Sequence, residues 1–559
     1  MASLVVAVSH TEHIRVPHID YLSILPLLIM MGGAVALMGA SSMFRRVLGV
    51  GSGTLVASVV SIAALVAALF QWDDVATHGA KVTVAGAIAY DGFDVFVQIV
   101  VSIAMLLTAL AADGYLRREG VDGPEFHVLA MMSAGGAMVM GAANDLIVIF
   151  LGLEILSIAL YVLAATNHKR SESGEAGLKY FVLGAFSSAI FVYGIALTYG
   201  ATGSTNLPQI ADFLSHNVVA SNGVLLGGLA LLLVGFGFKM AAVPFHMWSP
   251  DVYQGSPSPV TGFMAAVAKV GAFAAILRVF VSTFSTLRAD WQPVVWALAF
   301  LSLLLGAIVA LMQRDVKRMM AYSSINHVGF ILLGVEAASA RGVSAALYYL
   351  FAYTFLTIGS FAVIAVIGRP GDTGHDLTDY RGLAARQPWL AGGFAVLLVA
   401  QAGVPFTTGF LAKFGVVEAS VATHSDTLAV VAMVSAAIAA FFYLRLGVAM
   451  YSPVGLTGDV VASTESDTGT AALAGAGSFG PGAMAAAEPI GARRSSKGDF
   501  TLQALTDEPP DLFVTERGVV PVPPLTALCI GICVAFSVVF GIIPGPIVDF
   551  AHQATLLFI

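Results

Sequence analysis

Charge is what this 559-residue chain has least of: Asp, Glu, Lys and Arg together make up 11% of it, against roughly 25% in soluble domains. With 58% of its residues hydrophobic, the chain is excluded as a water-soluble globule, a nucleic-acid binder or a disordered polypeptide. Cysteine is nearly absent too. Cys529 and Cys533 lie four apart in a late apolar stretch, a spacing that matches no disulfide framework and no zinc, haem or iron–sulfur ligand set. There is no GxxxxGK[ST] loop to cradle nucleotide phosphates, so any energy source must lie in another polypeptide. The start of the chain, with His10, Glu12, His13 and Arg15, lacks the basic leader of a secretory signal, and the first apolar run is too long for a cleaved one. It is expected to be a retained span.

What the sequence has in abundance is apolar runs long enough to cross a bilayer core of about 30 Å. About fourteen follow one another, near 21–40, 47–69, 94–113, 126–143, 145–165, 179–202, 222–247, 257–284, 293–312, 318–337, 342–367, 389–418, 427–451 and 521–546. The alternation needed for barrel strands is missing, and helices are the other structure that satisfies every backbone group in lipid. The expected fold is an all-α membrane bundle.

Loop charge predicts its orientation. With the N-terminus outside, loops after odd-numbered spans hold sixteen Lys and Arg, among them Arg117, Arg118, Lys169, Arg170, Arg314, Lys317, Arg318, Arg369, Arg381 and Arg386, against four (Arg15, Lys81, Arg288, Arg341) on the other side. This asymmetry places the odd loops in the cytoplasm and both termini away from it. The long hydrophilic segment 453–517, with nine acids, four bases and much Ala, Gly and Ser, reads as a flexible cytoplasmic linker.

A short internal repeat suggests how the spans are organised. Val243-Pro244-Phe245-His246 in the seventh span resembles Val404-Pro405-Phe406-Thr407 in the twelfth, and those spans cross in opposite directions. Spans four to eight and nine to thirteen would then be two five-helix units of inverted topology. Paired Pro-interrupted helices in such halves point to a transport path, because a broken helix exposes backbone groups to a polar cavity. The expected divisions are 1–125, 126–284, 285–452, a loop at 453–520 and a last span in 521–559.

Six cations remain inside the spans: Lys179, Lys239, Lys269, Arg278, Lys413 and Arg445. A Lys or Arg at a helix centre costs about 2.5–3.5 kcal/mol on insertion scales, so such residues are paired or face a wet interior, and mark ion or proton paths. Glu154, in the middle of the fifth span, has Lys179 as its expected partner; a fixed ion pair clamping two helices is the alternative. Lys239, five residues before Pro244, and Lys269, in the eighth span, have no acid nearby in their own helices, and burial without one weakens an amine's hold on its proton. Lys413 is similar, with snorkelling to the headgroups as its bland reading. His327, in the strip Tyr322-Ser323-Ser324-Ile325-Asn326-His327, either lines a water chain or is a hydrogen-bonded structural group. His246 is expected to be structural or gating, and Arg278 and Arg445 to sit in structural pairs.

Taken together, Glu154, Glu175-Ala176-Gly177-Leu178-Lys179, Gly237-Phe238-Lys239 with Val243-Pro244-Phe245-His246-Met247-Trp248, Pro250-Asp251-Val252-Tyr253-Gln254-Gly255, Lys317-Arg318 with Ala321-Tyr322-Ser323-Ser324, and Gly403-Val404-Pro405 leading to Lys413 resemble the antiporter-like membrane subunits of proton-pumping NADH:quinone oxidoreductase, respiratory complex I. The resemblance spans most of the chain. It implies fourteen helices with inverted five-helix repeats and broken seventh and twelfth helices. It assigns roles by position: Glu154 with Lys179 as a coupling pair, Lys239 and Lys269 as a central relay, Lys413 as the outlet and His327 as a bridge to it. Lysine at 413 argues against the subunit type that carries glutamate there.

It further implies a bacterial inner-membrane protein whose partners are other membrane subunits and lipids. No cofactor is expected on this chain, NADH, FMN, iron–sulfur clusters and quinone belonging to other subunits. Two other readings remain: a subunit of a multisubunit cation/proton antiporter, and a non-conducting scaffold.

Overall fold

The computed structural model describes residues 19–43, 51–217, 222–453, 520–554 and 556; the predicted linker 453–520 lies outside the described residues except at its ends. From the N-terminal side the chain forms α1 (Leu25–Met43), α2 (Ser52–His78), a hairpin of β1 (Lys81–Thr83) and β2 (Ile88–Tyr90), α3 (Gly92–Glu119), α4 (Pro124–Ala142), α5 (Leu146–Ala164), α6 (Ser171–Thr202), α7 (Leu207–His216), α8 (Asn222–Met240), α9 (Trp248–Gly255) and α10 (Ser258–Ile276). There follow α11 (Arg288–Met312), α12 (Val316–Glu336), α13 (Ala340–Ile367), α14 (Leu383–Arg386), α15 (Pro388–Ala402), α16 (Thr408–Ala422), α17 (Asp426–Tyr451), α18 (Pro524–Ile542) and α19 (Gly545–Gln553).

Eleven helices among the described residues are long and apolar enough to cross a membrane. A count of fourteen needs three more crossings: the more polar α4 and α12, of 19 and 21 residues, and the pair α15–α16. Helix ends are tied off locally. Asp91, Asp145, Asp315, Ser339 and Thr407 accept hydrogen bonds from backbone N–H groups in the first turns of α3, α5, α12, α13 and α16, which satisfies donors that lipid cannot.

Two helices are broken as predicted. The chain leaves α8 at Ala241 in the left-handed region (φ 62), passes a cis Val243–Pro244 bond and re-enters helix at Trp248. The N–H of Val243, freed by the break, donates to Ser302 Oγ of α11 at 2.9 Å. The second break separates α15 from α16, with Gly403 and Phe406 at φ 89 and 67.

Helix α10 is buried along its whole length and α13 nearly so, which puts Lys269 at the centre of the molecule. Two helix pairs pack through glycine: a Cβ on Gly152 of α5 would lie 2.9 Å from the Gly136 carbonyl of α4, and one on Gly306 of α11 would lie 2.6 Å from the Asn326 nitrogen of α12. Close backbone approach of this kind is how membrane helices gain dispersion contacts without a hydrophobic driving force.

The connecting loops gather at two ends. At one, Arg118 donates to the carbonyl of Ala365, Lys169 to that of Glu119, and Gly371 N–H to Glu119 Oε2. At the other, Asn144 and Asn206 both donate to the carbonyl of Gly86 in the hairpin turn.

Candidate functional site

Glu154 of α5 is half-buried, and its Oε1 accepts from Ser188 Oγ of α6. One turn on, Ser157 accepts from Lys239 Nζ at 2.8 Å, and Tyr180 of α6 accepts from the same amine at 3.2 Å. The ammonium also lies 5.3 Å from the Tyr180 ring centroid and 5.8 Å from that of Tyr161, an arrangement in which aromatic faces take the place of a carboxylate. A cavity of about 10 Å³ bounded by Ser157, Ser188 and Lys239 is at the lower limit of the space that admits one water. It joins the serine that binds Glu154 to the buried amine.

Lys179 is placed differently from the expectation. Its ammonium pairs with Glu175 at 2.7 Å and with Asp251 of α9 at 2.8 Å, not with Glu154, and its side chain is 41% exposed. Helical side chains tilt toward the helix N-terminus, so Lys179, eight residues into α6, reaches back to the loop end. Glu154, about 15 Å in from the end of α5 at 1.5 Å per residue, stays at mid-depth.

Lys269 donates to Tyr253 OH of α9 at 2.9 Å and to Ser324 Oγ of α12 at 2.6 Å. Tyr353 of α13 donates to the same Ser324 oxygen at 2.8 Å, and its ring lies 4.9 Å from that of His327. The two nitrogens of His327 bond Tyr349 OH at 2.7 Å and Tyr443 OH at 3.0 Å. Tyr443 of α17 also bonds Ser323 and donates to Gln401 Oε1 of α15 at 3.3 Å. Beside Gln401, the carbonyl of Ala402 accepts from Lys413 Nζ at 2.9 Å. That ammonium lies over the Phe330 ring at 4.9 Å and the residue is buried, so it does not snorkel.

Lys239, Lys269 and Lys413 are thus buried, hydrogen-bonded and strung from one helix break to the other. Among the described residues none of them has a carboxylate within ion-pair distance. Ser157, Tyr180, Tyr253, Tyr353, Tyr443 and Gln401 lie around them, and in the sequence these pass as ordinary polar residues. A serine or tyrosine mid-helix costs little in lipid and leaves a weak sequence signal, whereas lysine leaves a strong one.

The two remaining cations expected within the spans are structural, though in different ways. Arg278 forms a forked pair with Asp91 at 2.8 and 3.0 Å and also donates to the Gly141 carbonyl. Arg445 has no acidic partner among the described residues, contrary to expectation. It donates to the carbonyls of Leu311 and Gln313, completing the C-terminus of α11. His246 is buried beside the first break, with Nδ1 bonded to nothing among the described residues.

Residues 143–439 match the family model for NADH:quinone oxidoreductase/Mrp antiporter transmembrane proteins. NADH-quinone oxidoreductase subunit N of Parafrankia sp. (strain EAN1pec) is 42% identical over 482 residues, covering 80% of this chain and 89% of that one. The chain belongs to the subunit N family. A chain of respiratory complex I from Thermus thermophilus superposes with a TM-score of 0.69 at 28% identity, over 94% of this chain and 98% of that one. A chain of the Mrp complex from Dietzia sp. DQ12-45-1b superposes at 0.73 with 19% identity, over 95% and 97% of the two chains, a likeness of fold alone. The chain carries lysine at 413 in its second broken helix, and both breaks fall within the matched region.

Proposed function

We propose that this chain is an antiporter-like membrane-arm subunit of a bacterial NADH:quinone oxidoreductase and that protons cross it along Lys239, Lys269, His327 and Lys413, with Glu154 at the head of the line. The observation that carries the reading is three buried lysines without carboxylate partners between one break and the other, Lys239 held by Ser157 and Tyr180, Lys269 by Tyr253 and Ser324, and Lys413 by the Ala402 carbonyl beside the His327, Tyr443 and Gln401 cluster. A charge on any of them is costly in a low-dielectric interior. Charging one therefore disfavours charging the next, and protons advance by displacement.

A change near Glu154 acts first on Lys239 across Ser188 and the water-sized cavity. Lys269, bound by two hydroxyls, accepts the proton next. From there Tyr353 and His327 lead to Tyr443, and Lys413 delivers the proton to the far side. Moving one charge against 100 mV takes about 2.3 kcal/mol, energy that would come from redox chemistry on other subunits, where NADH, FMN, iron–sulfur clusters and quinone are bound. The neighbours are further membrane subunits and lipid.

We also propose that 126–284 and 285–452 are inverted halves. In support, a glycine-packed pair (α4–α5, α11–α12) and a broken helix occur in each.

The test is Lys269→Ala in the assembled complex. In inverted membrane vesicles, proton uptake per NADH oxidised should fall sharply. Uptake equal to that of the unsubstituted complex would exclude the relay and favour a non-conducting subunit.

A further inference from the structure

Helix α9 (Trp248–Gly255) is eight residues long and is set off by the break 241–247 before it and by Ser256 and Pro257 after it. It touches the surroundings of both Lys239 and Lys269. Trp248 stacks on Tyr180, ring centroids 4.4 Å apart and planes within 7°, and Tyr180 is the hydroxyl that accepts from Lys239. Tyr253 accepts from Lys269.

Between these aromatic residues Asp251 faces a polar cavity of about 380 Å³ at the end where the loop after α13 folds over. Its two oxygens are divided between the halves of the molecule. Oδ2 accepts from Lys179 of α6 and Oδ1 from Arg318 of α12, each at 2.8 Å, and Arg318 also donates to Gln254 at 3.1 Å. Gly255 lets the helix sit directly on α6, since a Cβ there would lie 2.5 Å from the Glu172 carbonyl. The joint into α10 is held from the second half, with Lys317 donating to the Ser256 carbonyl at 2.6 Å and Asp372 accepting from Ser258.

We infer that Asp251 is a positioning residue: the two cations that share its carboxylate set the seat of α9, and α9 sets the hydroxyls that hold Lys239 and Lys269. Lys179 then acts on the line through Asp251 and the short helix, not by direct contact with Glu154. Losing either cation leaves Asp251 drawn to one side. α9 shifts with it, because the chain before it, 241–247, is not helical. Lys179, Asp251 and Arg318 are each between 33% and 41% exposed, and ion pairs of that kind contribute little to stability. Structural support is therefore a poor account of the arrangement.

This inference rests on the relay reading, and the experiment separates the two. Asp251→Asn, Asp251→Glu, Tyr253→Phe, the double variant Asp251→Asn/Tyr253→Phe and Lys269→Ala are compared in the assembled complex, in inverted vesicles, by proton uptake per NADH oxidised and its pH profile. Asp251→Asn should lose most of what Lys269→Ala loses and displace the pH profile, and Asp251→Glu should restore both. The double variant should lose no more than the worse single one, because both act through α9.

If Asp251→Asn pumps normally while Lys269→Ala does not, the inference fails and the relay stands. If Lys269→Ala pumps normally, both fail. If Asp251→Asn does not assemble, or if the double losses simply add, Asp251 is a structural residue and the inference is overturned.

Discussion

A lysine in a sea of valine and leucine announces itself, which is why Lys239, Lys269 and Lys413 are legible from the amino-acid sequence alone. Their partners are not. Charge and nearness in sequence assign Lys179 to Glu154, yet it bonds Asp251, 72 residues away. Sequence spacing gives the depth of a Cα but not the reach of a long side chain, and it is blind to which distant helix lies alongside. Asp372 is a further case. It leaves no signal in the sequence, yet it is buried against Lys317 at 2.8 Å and His375 at 3.0 Å.

Burial pushes the Asp372 carboxyl up, but Lys317 and His375 hold it well below the usual carboxylate range. A depressed acid contributes stability that is present above its unfolded value of about 3.9 and is lost only as pH falls below that. Asp372→Asn, which leaves Lys317 buried without its counter-ion, should destabilise the protein by about 3–5 kcal/mol. The penalty should persist from about pH 8 down to about pH 5, since the carboxylate stays ionised throughout. Thermal unfolding of the purified complex at both pH values measures it. A penalty already gone at the lower pH would mean that burial outweighs Lys317 and His375 and that the carboxyl is protonated there.

At the level of the helices, composition and proline position carry most of the information. A four-residue repeat predicts the breaks at Pro244 and Pro405, and both occur. The apolar run 222–247 reads as one span, however, whereas helix stops at Met240 and resumes as α9. An eight-residue helix leaves no period that a span-length reading can detect, so the element on which Asp251 and Tyr253 ride is invisible in the sequence. Helix contacts are equally hidden.

Gly152 looks like any small residue in an apolar run, but it is where α4 and α5 touch backbone to backbone. Gly152→Val should cost about 1–3 kcal/mol by overpacking and should lower proton uptake, because Glu154 and Ser157 ride on the displaced α5. Gly447→Val on α17, where a Cβ would meet no atom within 4 Å, serves as the control and should leave thermal stability and uptake unchanged. Equal behaviour of the two variants would mean that the α4–α5 approach is not tight.

For the whole molecule, the alternation of charged and uncharged loops predicts two faces, and the loops do collect at two ends: 119–123, 165–170, 313–315 and 368–376 at one, and the hairpin with 143–145 and 203–206 at the other. The charge bias also assigns the first of these ends to the cytoplasm, which labelling can check. Arg369 is 69% exposed on its side chain and Lys81 is 47% exposed on its own, so a cysteine at either position is within reach of a water-soluble reagent. The native Cys529 and Cys533 are both buried and give little background. With a membrane-impermeant maleimide, Lys81→Cys should react in intact spheroplasts and Arg369→Cys should be silent there, and in inverted vesicles the reactivities should exchange. The opposite pattern would turn the molecule over and reverse the direction proposed for the line from Lys239 to Lys413. Lys413 would then lie on the intake side, and the cavity beneath Asp251 would open to the compartment that receives the protons.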